Sequence, residues 1–140
     1  MTNGNVETGE ILVVDDEPDF AAYLATIFRQ EGFEATVAYD GIAALEQVLG
    51  HRPDLITLDI QMPRKSGMFF YRQMKADPDL RDIPVVVVTG LRSGGRDADV
   101  LIRGFFETER VPAPVAYFDK PVDTQALLAR IRAALRERNH

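Results

Sequence analysis

Short runs of consecutive apolar residues alternate along this chain with stretches where apolar positions recur every three or four residues. Ile11, Leu12, Val13 and Val14 form the first run, which ends in Asp15, Asp16, Glu17 and Pro18. A proline there suits the first position of a helix, whose N–H would have no partner anyway. Phe20, Leu24, Ile27 and Phe28 follow at the spacing of one buried helical face, predicting a helix to about Glu31 with Gly32 as its stop. Residues 35–38 read as a second, short strand. Asp40 is placed to cap a helix carrying Ile42, Leu45, Val48 and Leu49, and Gly50 to close it in the left-handed conformation.

Residues 55–58 form the third strand, and Ser66 and Gly67 open a third helix toward Ala76, ended by Asp77 and Pro78. Residues 83–89 are an almost unbroken β-branched strand. A loop over 90–96, a helix over about 97–109, a break at Pro112 and Pro114 and a short strand over 116–118 follow. Asp123 caps the last helix, with Ala126, Leu127, Ile131 and Leu135 on one side and Arg130, Arg132, Arg136 and Arg138 in solvent.

Apolar runs without polar alternation mark strands buried on both faces, as in the interior of a parallel sheet. Strict alternation with helices and right-handed crossovers makes this a doubly wound three-layer α/β sandwich, with a five-stranded parallel sheet of order 2-1-3-4-5. The expected organisation is a disordered polar lead over 1–9 and a single domain over 10–140. Neither a repeat nor a low-complexity tract is visible.

Composition narrows the chemistry. With no cysteine among 140 residues, disulfides, thiolate metal sites and a cysteine nucleophile are excluded, and a reducing, cytoplasmic setting is the expectation. The acidic lead does not resemble a secretory signal, and no apolar run approaches a membrane span. A formal charge of −6 argues against direct nucleic-acid binding and for a cation or a basic partner surface.

In sheets of this order, ligands collect outside the carboxyl ends of the strands, near the switch point between the first and third. The first strand delivers Asp15 and Asp16 there, the third Asp59, the fourth Thr89 and the fifth Lys120. Each has an ordinary reading alone: a turn or helix cap, a strand hydroxyl, a solvated charge. Together, three close carboxylates need a compensating cation. Oxygen-only ligands favour a hard ion, Mg²⁺ first. Carboxylate, Mg²⁺, lysine and hydroxyl are what phosphoryl transfer onto an aspartate requires.

In its ordered motifs the sequence resembles the receiver domain of bacterial two-component response regulators. The motifs are Ile11 to Asp16, Leu58-Asp-Ile-Gln-Met-Pro63, Val88-Thr-Gly90 and Tyr117-Phe-Asp-Lys-Pro121. The resemblance covers essentially the whole chain and implies a flavodoxin-like receiver fold. It further implies that Asp59 is the phosphoacceptor, that Asp15, Asp16, Asp59 and the carbonyl of Gln61 hold Mg²⁺, and that Thr89 and Lys120 contact the phosphoryl group. Tyr117 would be the aromatic that swings inward, and the Lys120–Pro121 bond would be cis. The implied partners are a sensor histidine kinase or phosphotransfer protein, with output or homodimerisation through the face of the fourth and fifth helices. His51 and His140 read as surface residues, not phosphodonors.

The interval from Thr89 to Lys120, 31 positions (120 − 89), exceeds the family's usual by about two helical turns. This bears on the output face rather than on the phosphorylation residues. With no effector segment after the fifth helix, the expectation is either a single-domain regulator or a receiver cut from a larger protein. The resemblance implies a signalling protein, not a turnover enzyme. The rival is a Mg²⁺-dependent aspartyl phosphohydrolase resembling the haloacid-dehalogenase family, which wants an acid two residues after the nucleophile; here that position is Gln61.

Overall fold

A computed structural model describes residues 9–90, 104, 107 and 111–138. Most of the expected helix over 97–109 lies outside them, although Gly104 and Glu107 are helical, as does the expected polar lead up to residue 8. The described elements are β1 (Glu10–Val14), α1 (Pro18–Gln30), β2 (Glu34–Ala38), α2 (Gly41–Gly50), β3 (Leu55–Leu58), α3 (Ser66–Ala76), β4 (Val85–Thr89), β5 (Ala116–Asp119) and α4 (Thr124–Arg138), the last of the expected helices. All five strands are parallel, in the order β2-β1-β3-β4-β5.

Alternate residues of each strand enter opposite layers, which is why the strands read as continuous apolar runs. Ile11, Val13, Leu55, Val86 and Val88 pack with Leu24 and Phe28 of α1 and with Leu127, Ile131 and Leu135 of α4. Leu12, Val14, Ile56, Leu58 and Val85 pack on the other face with Val48 of α2 and with Phe70, Tyr71 and Met74 of α3. The outer edge of β2 is blunted, because the carbonyls of Ala35 and Val37 accept hydrogen bonds from the side chains of Arg29 and Gln47.

The helix boundaries follow local chemistry. Pro18 is the first residue of α1, and Gly32 follows its end with φ +96°. Asp40 caps α2 by accepting from the Ala43 N–H at 2.7 Å, and Asp123 caps α4 by accepting from Ala126 at 3.1 Å. Three expectations differ in detail. Gly50 is the last helical residue of α2 rather than a left-handed terminator, since the chain leaves through His51 in extended conformation. Ile42 and Leu49, expected in the apolar stripe of α2, are 63% and 64% exposed; Ala44 and Val48 are its buried contacts. On α4 Ala126 is exposed while Leu128 and Ala134 are buried, a stripe rotated by one position.

Gly67 is fixed by close approach. A Cβ there would lie 2.6 Å from the Asp59 carbonyl oxygen and 2.9 Å from the Ile60 Cα. The absent side chain lets α3 sit directly on the turn leaving β3. Gly67→Ala is therefore expected to cost about 1–3 kcal/mol. Gly50→Ala, where a Cβ meets nothing within 4 Å, should gain about 0.5–1 kcal/mol. Urea unfolding of both variants checks this, and a neutral Gly67→Ala would contradict the packing.

Candidate functional site

The hydrogen-bond ladder runs one residue past β1, β3 and β5, and those residues open the site. Asp15 N–H donates to the Ala38 carbonyl at 3.1 Å, Asp59 N–H to Val14 at 2.9 Å and Lys120 N–H to Thr89 at 3.0 Å. The main chain at each position is thus pinned to the neighbouring strand while its side chain points off the sheet's end. Asp15, Asp59 and Thr89 are buried and Asp16 is half-buried.

Five of the residues singled out from sequence meet directly, Asp15 through Lys120 at 2.8 Å. Asp59 Oδ1 accepts from the Thr89 hydroxyl at 2.9 Å and from the Gln61 N–H at 2.9 Å. Asp59 Oδ2 faces the Lys120 ammonium at 3.3 Å. Asp15, Asp16 and Asp59 each place one carboxylate oxygen within 4.8 Å of the others. Asp16, Asp59, Gln61, Thr89 and Lys120 line one cleft. Tyr117 lies outside it, packing on β5 against the layer that holds Tyr71 and Met74. Lys120–Pro121 is cis.

Two residues read only as a helix entry and a core position from sequence belong to the same neighbourhood. Glu17 Oε1 is 2.7 Å from Lys120 Nζ, and the Phe20 ring lies under that ammonium at 4.3 Å from its centroid. Their signal was the Asp-Asp-Glu-Pro sequence itself: the Asp15 carboxylate accepts from the Glu17 N–H at 2.9 Å, which turns the first turn of α1 toward Lys120. Away from the cleft, Tyr71 donates its hydroxyl proton to the Pro112 carbonyl and ties α3 to the segment before β5.

The electrostatics are those of a crowded anionic site with one internal counter-ion. Burial pushes the Asp15 carboxyl above its ordinary value, against the hydrogen bonds from Lys120 and the Glu17 amide and with the neighbouring Asp59 charge. For Lys120, burial works against the ammonium. Its hydrogen bonds to Asp15 and Glu17 and the charge of Asp59 outweigh that and raise its pKa. A set of three carboxylates without nitrogen or sulfur donors suits a hard divalent cation.

A family model described as "Response regulator receiver domain" matches residues 11–132. The protein Rrf1 of Nitratidesulfovibrio vulgaris is 39% identical over 125 residues, covering 89% of this chain and 81% of Rrf1. The DNA-binding response regulator MtrA of Mycolicibacterium smegmatis is 35% identical over 136 residues, covering 90% of this chain and 50% of MtrA. The chain thus spans about half the length of that relative. A solved structure of a putative response regulator from Chloroflexus aurantiacus superposes with a TM-score of 0.77 at 26% identity, covering 91% of this chain and 98% of that one.

Lys120→Met would leave the nearly buried Asp15 and Asp59 without their shared cation, an expected cost of about 3 kcal/mol at neutral pH. The raised Asp15 value fixes the sign of the pH dependence. A folded chain that binds this proton before the unfolded chain does gains stability as pH falls toward the ordinary carboxylate range, and loses it as pH rises through the raised value. Removing the cation raises the Asp15 carboxyl further, so the penalty should shrink by about pH 5. Urea unfolding at both pH values tests this, and an equal penalty at both would contradict it.

Proposed function

This chain belongs to the response regulator receiver domain family of two-component signalling, and on that premise we propose that it is a phosphorylation-controlled switch that accepts a phosphoryl group onto Asp59. The donor would be the phosphohistidine of a sensor histidine kinase or phosphotransfer protein. The observation that carries this reading is the Asp59 side chain. It is 5% exposed, hydrogen-bonded by Thr89 and the Gln61 amide, faced by Lys120, and grouped with Asp15 and Asp16 in a set able to hold a cation.

Mg²⁺, held by Asp15, Asp16, Asp59 and the Gln61 carbonyl, would neutralise the carboxylates and the charge of the group in transfer. An Asp59 oxygen attacks phosphorus while the phosphorus–nitrogen bond to the donor imidazole breaks, and the nitrogen leaves with the electron pair. The product is an acyl phosphate on Asp59. Lys120 then pairs with a phosphoryl oxygen, and the Thr89 hydroxyl transfers its hydrogen bond from Asp59 Oδ1 to the phosphoryl group. Drawing Thr89 toward the cleft and Tyr117 inward would alter the face formed by α4 and the helix expected over 97–109, which would bind a protein partner or a second copy. The setting would be the cytoplasm.

A phosphohydrolase built on Asp59 would need an acid at position 61. There the side chain is the exposed amide of Gln61, which cannot supply or accept the proton of a hydrolytic step. One phosphoryl group per chain is therefore expected with Mg²⁺ and acetyl phosphate, read by intact mass, and none on Asp59→Asn. Uptake by that variant would refute the acceptor. In a separate calorimetric titration Asp16→Ala should lose Mg²⁺ binding, and an unchanged isotherm would refute the ligand set.

A further inference from the structure

Lys120 Nζ has three hydrogens and, among the described residues, three carboxylate neighbours. Glu17 Oε1 lies at 2.7 Å, Asp15 Oδ2 at 2.8 Å and Asp59 Oδ2 at 3.3 Å, so the ammonium sits toward α1 and away from Asp59. The Phe20 ring, 4.3 Å from Nζ and one turn along α1, holds it on the same side. The three anions differ in what it costs to release them. Asp15 and Asp59 are 3% and 5% exposed, whereas the Glu17 carboxylate is 59% exposed and water can replace the ammonium there. Glu17 also makes no side-chain hydrogen bond capping α1.

We propose that Glu17 is a positioning residue that restrains Lys120 on the α1 side of the cleft and thereby sets how tightly the site holds a phosphoryl group. The inference rests on Asp59 as phosphoryl acceptor. An arriving phosphoryl group competes with Glu17 for the same ammonium, and the exposed pair is the one that opens. This makes the residue after the two metal-site aspartates a determinant of phosphoryl affinity.

The test is titration of the full chain with beryllofluoride and Mg²⁺, followed by ¹⁹F NMR, in wild type, Glu17→Gln, Glu17→Asp and Asp19→Asn. Asp19, in the same first turn of α1 and exposed, controls for simple loss of negative charge. Glu17→Gln should bind beryllofluoride about two- to fivefold tighter at low salt, with the gain shrinking at high salt. Glu17→Asp should fall between it and wild type, and Asp19→Asn should match wild type. Unfolding midpoints of the variants, expected to be unchanged, separate positioning from a structural effect. Equal or weaker binding by Glu17→Gln, or the same gain in Asp19→Asn, would overturn the restraint while leaving the acceptor standing. Absence of bound beryllofluoride in wild type would instead overturn the acceptor assignment, and this inference with it.

Discussion

Three carboxylates cannot be gathered at the end of a hydrophobic sheet without a cation, and here that cation comes from a different strand. Two unit charges about 4 Å apart near a protein surface interact by roughly 4 kcal/mol, so Asp15, Asp16 and Asp59 together strain the edge they occupy. Lys120 lies within 3.3 Å of two of them and is the internal counter-ion of the set. The aspartates leave β1 and β3 at the centre of the sheet, while the lysine leaves β5 at its edge. The parallel direction of all five strands puts these ends on one side of the molecule, and the order β2-β1-β3-β4-β5 sets the two aspartate-bearing strands side by side.

The remaining architecture keeps those ends in place. One backbone hydrogen bond beyond each of β1, β3 and β5 fixes where the side chains of Asp15, Asp59 and Lys120 begin. Two apolar layers, one under α1 and α4 and one under α2 and α3, clamp the sheet from both sides. Rigidity resides in the strands, and the chemistry sits on the loops that leave them. A charge redistribution in the cleft therefore acts on loops rather than on a core that resists deformation.

Much of this was legible in the sequence because it follows from local rules. Unbroken apolar runs such as Val85 to Val88 marked doubly buried strands, and Pro18, Gly32, Asp40 and Asp123 marked helix ends where they stand. Strand-end placement alone brought Asp15, Asp16, Asp59, Thr89 and Lys120 together. What local rules do not encode is which neighbour a side chain chooses. Glu17 reads as a helix-entry acid until Lys120, 103 positions away, is seen beside it. Phe20 reads as core until the ammonium is found over its ring. The same limit explains Ile42 and Leu49: periodicity marks an apolar face, but how far that face extends over the sheet depends on neighbouring helices.

Departures from good packing practice concentrate around Asp59, and that clustering is informative. Among the described residues, the buried side-chain polar atoms without a partner are the hydroxyls of Thr57 and Ser66. The non-glycine residue with positive φ among the described residues is Arg64, at 58°. Gly67 meets the Asp59 carbonyl where no side chain would fit. An orphaned buried hydroxyl costs about 1–3 kcal/mol, and a left-handed non-glycine residue a comparable amount. A chain under pressure for stability alone would remove these costs with a valine at 57 and a glycine at 64. Their concentration between residues 57 and 67, the stretch that carries and supports Asp59, fits a segment shaped for its carboxylate. The surrounding sheet supplies the stability that this segment gives up.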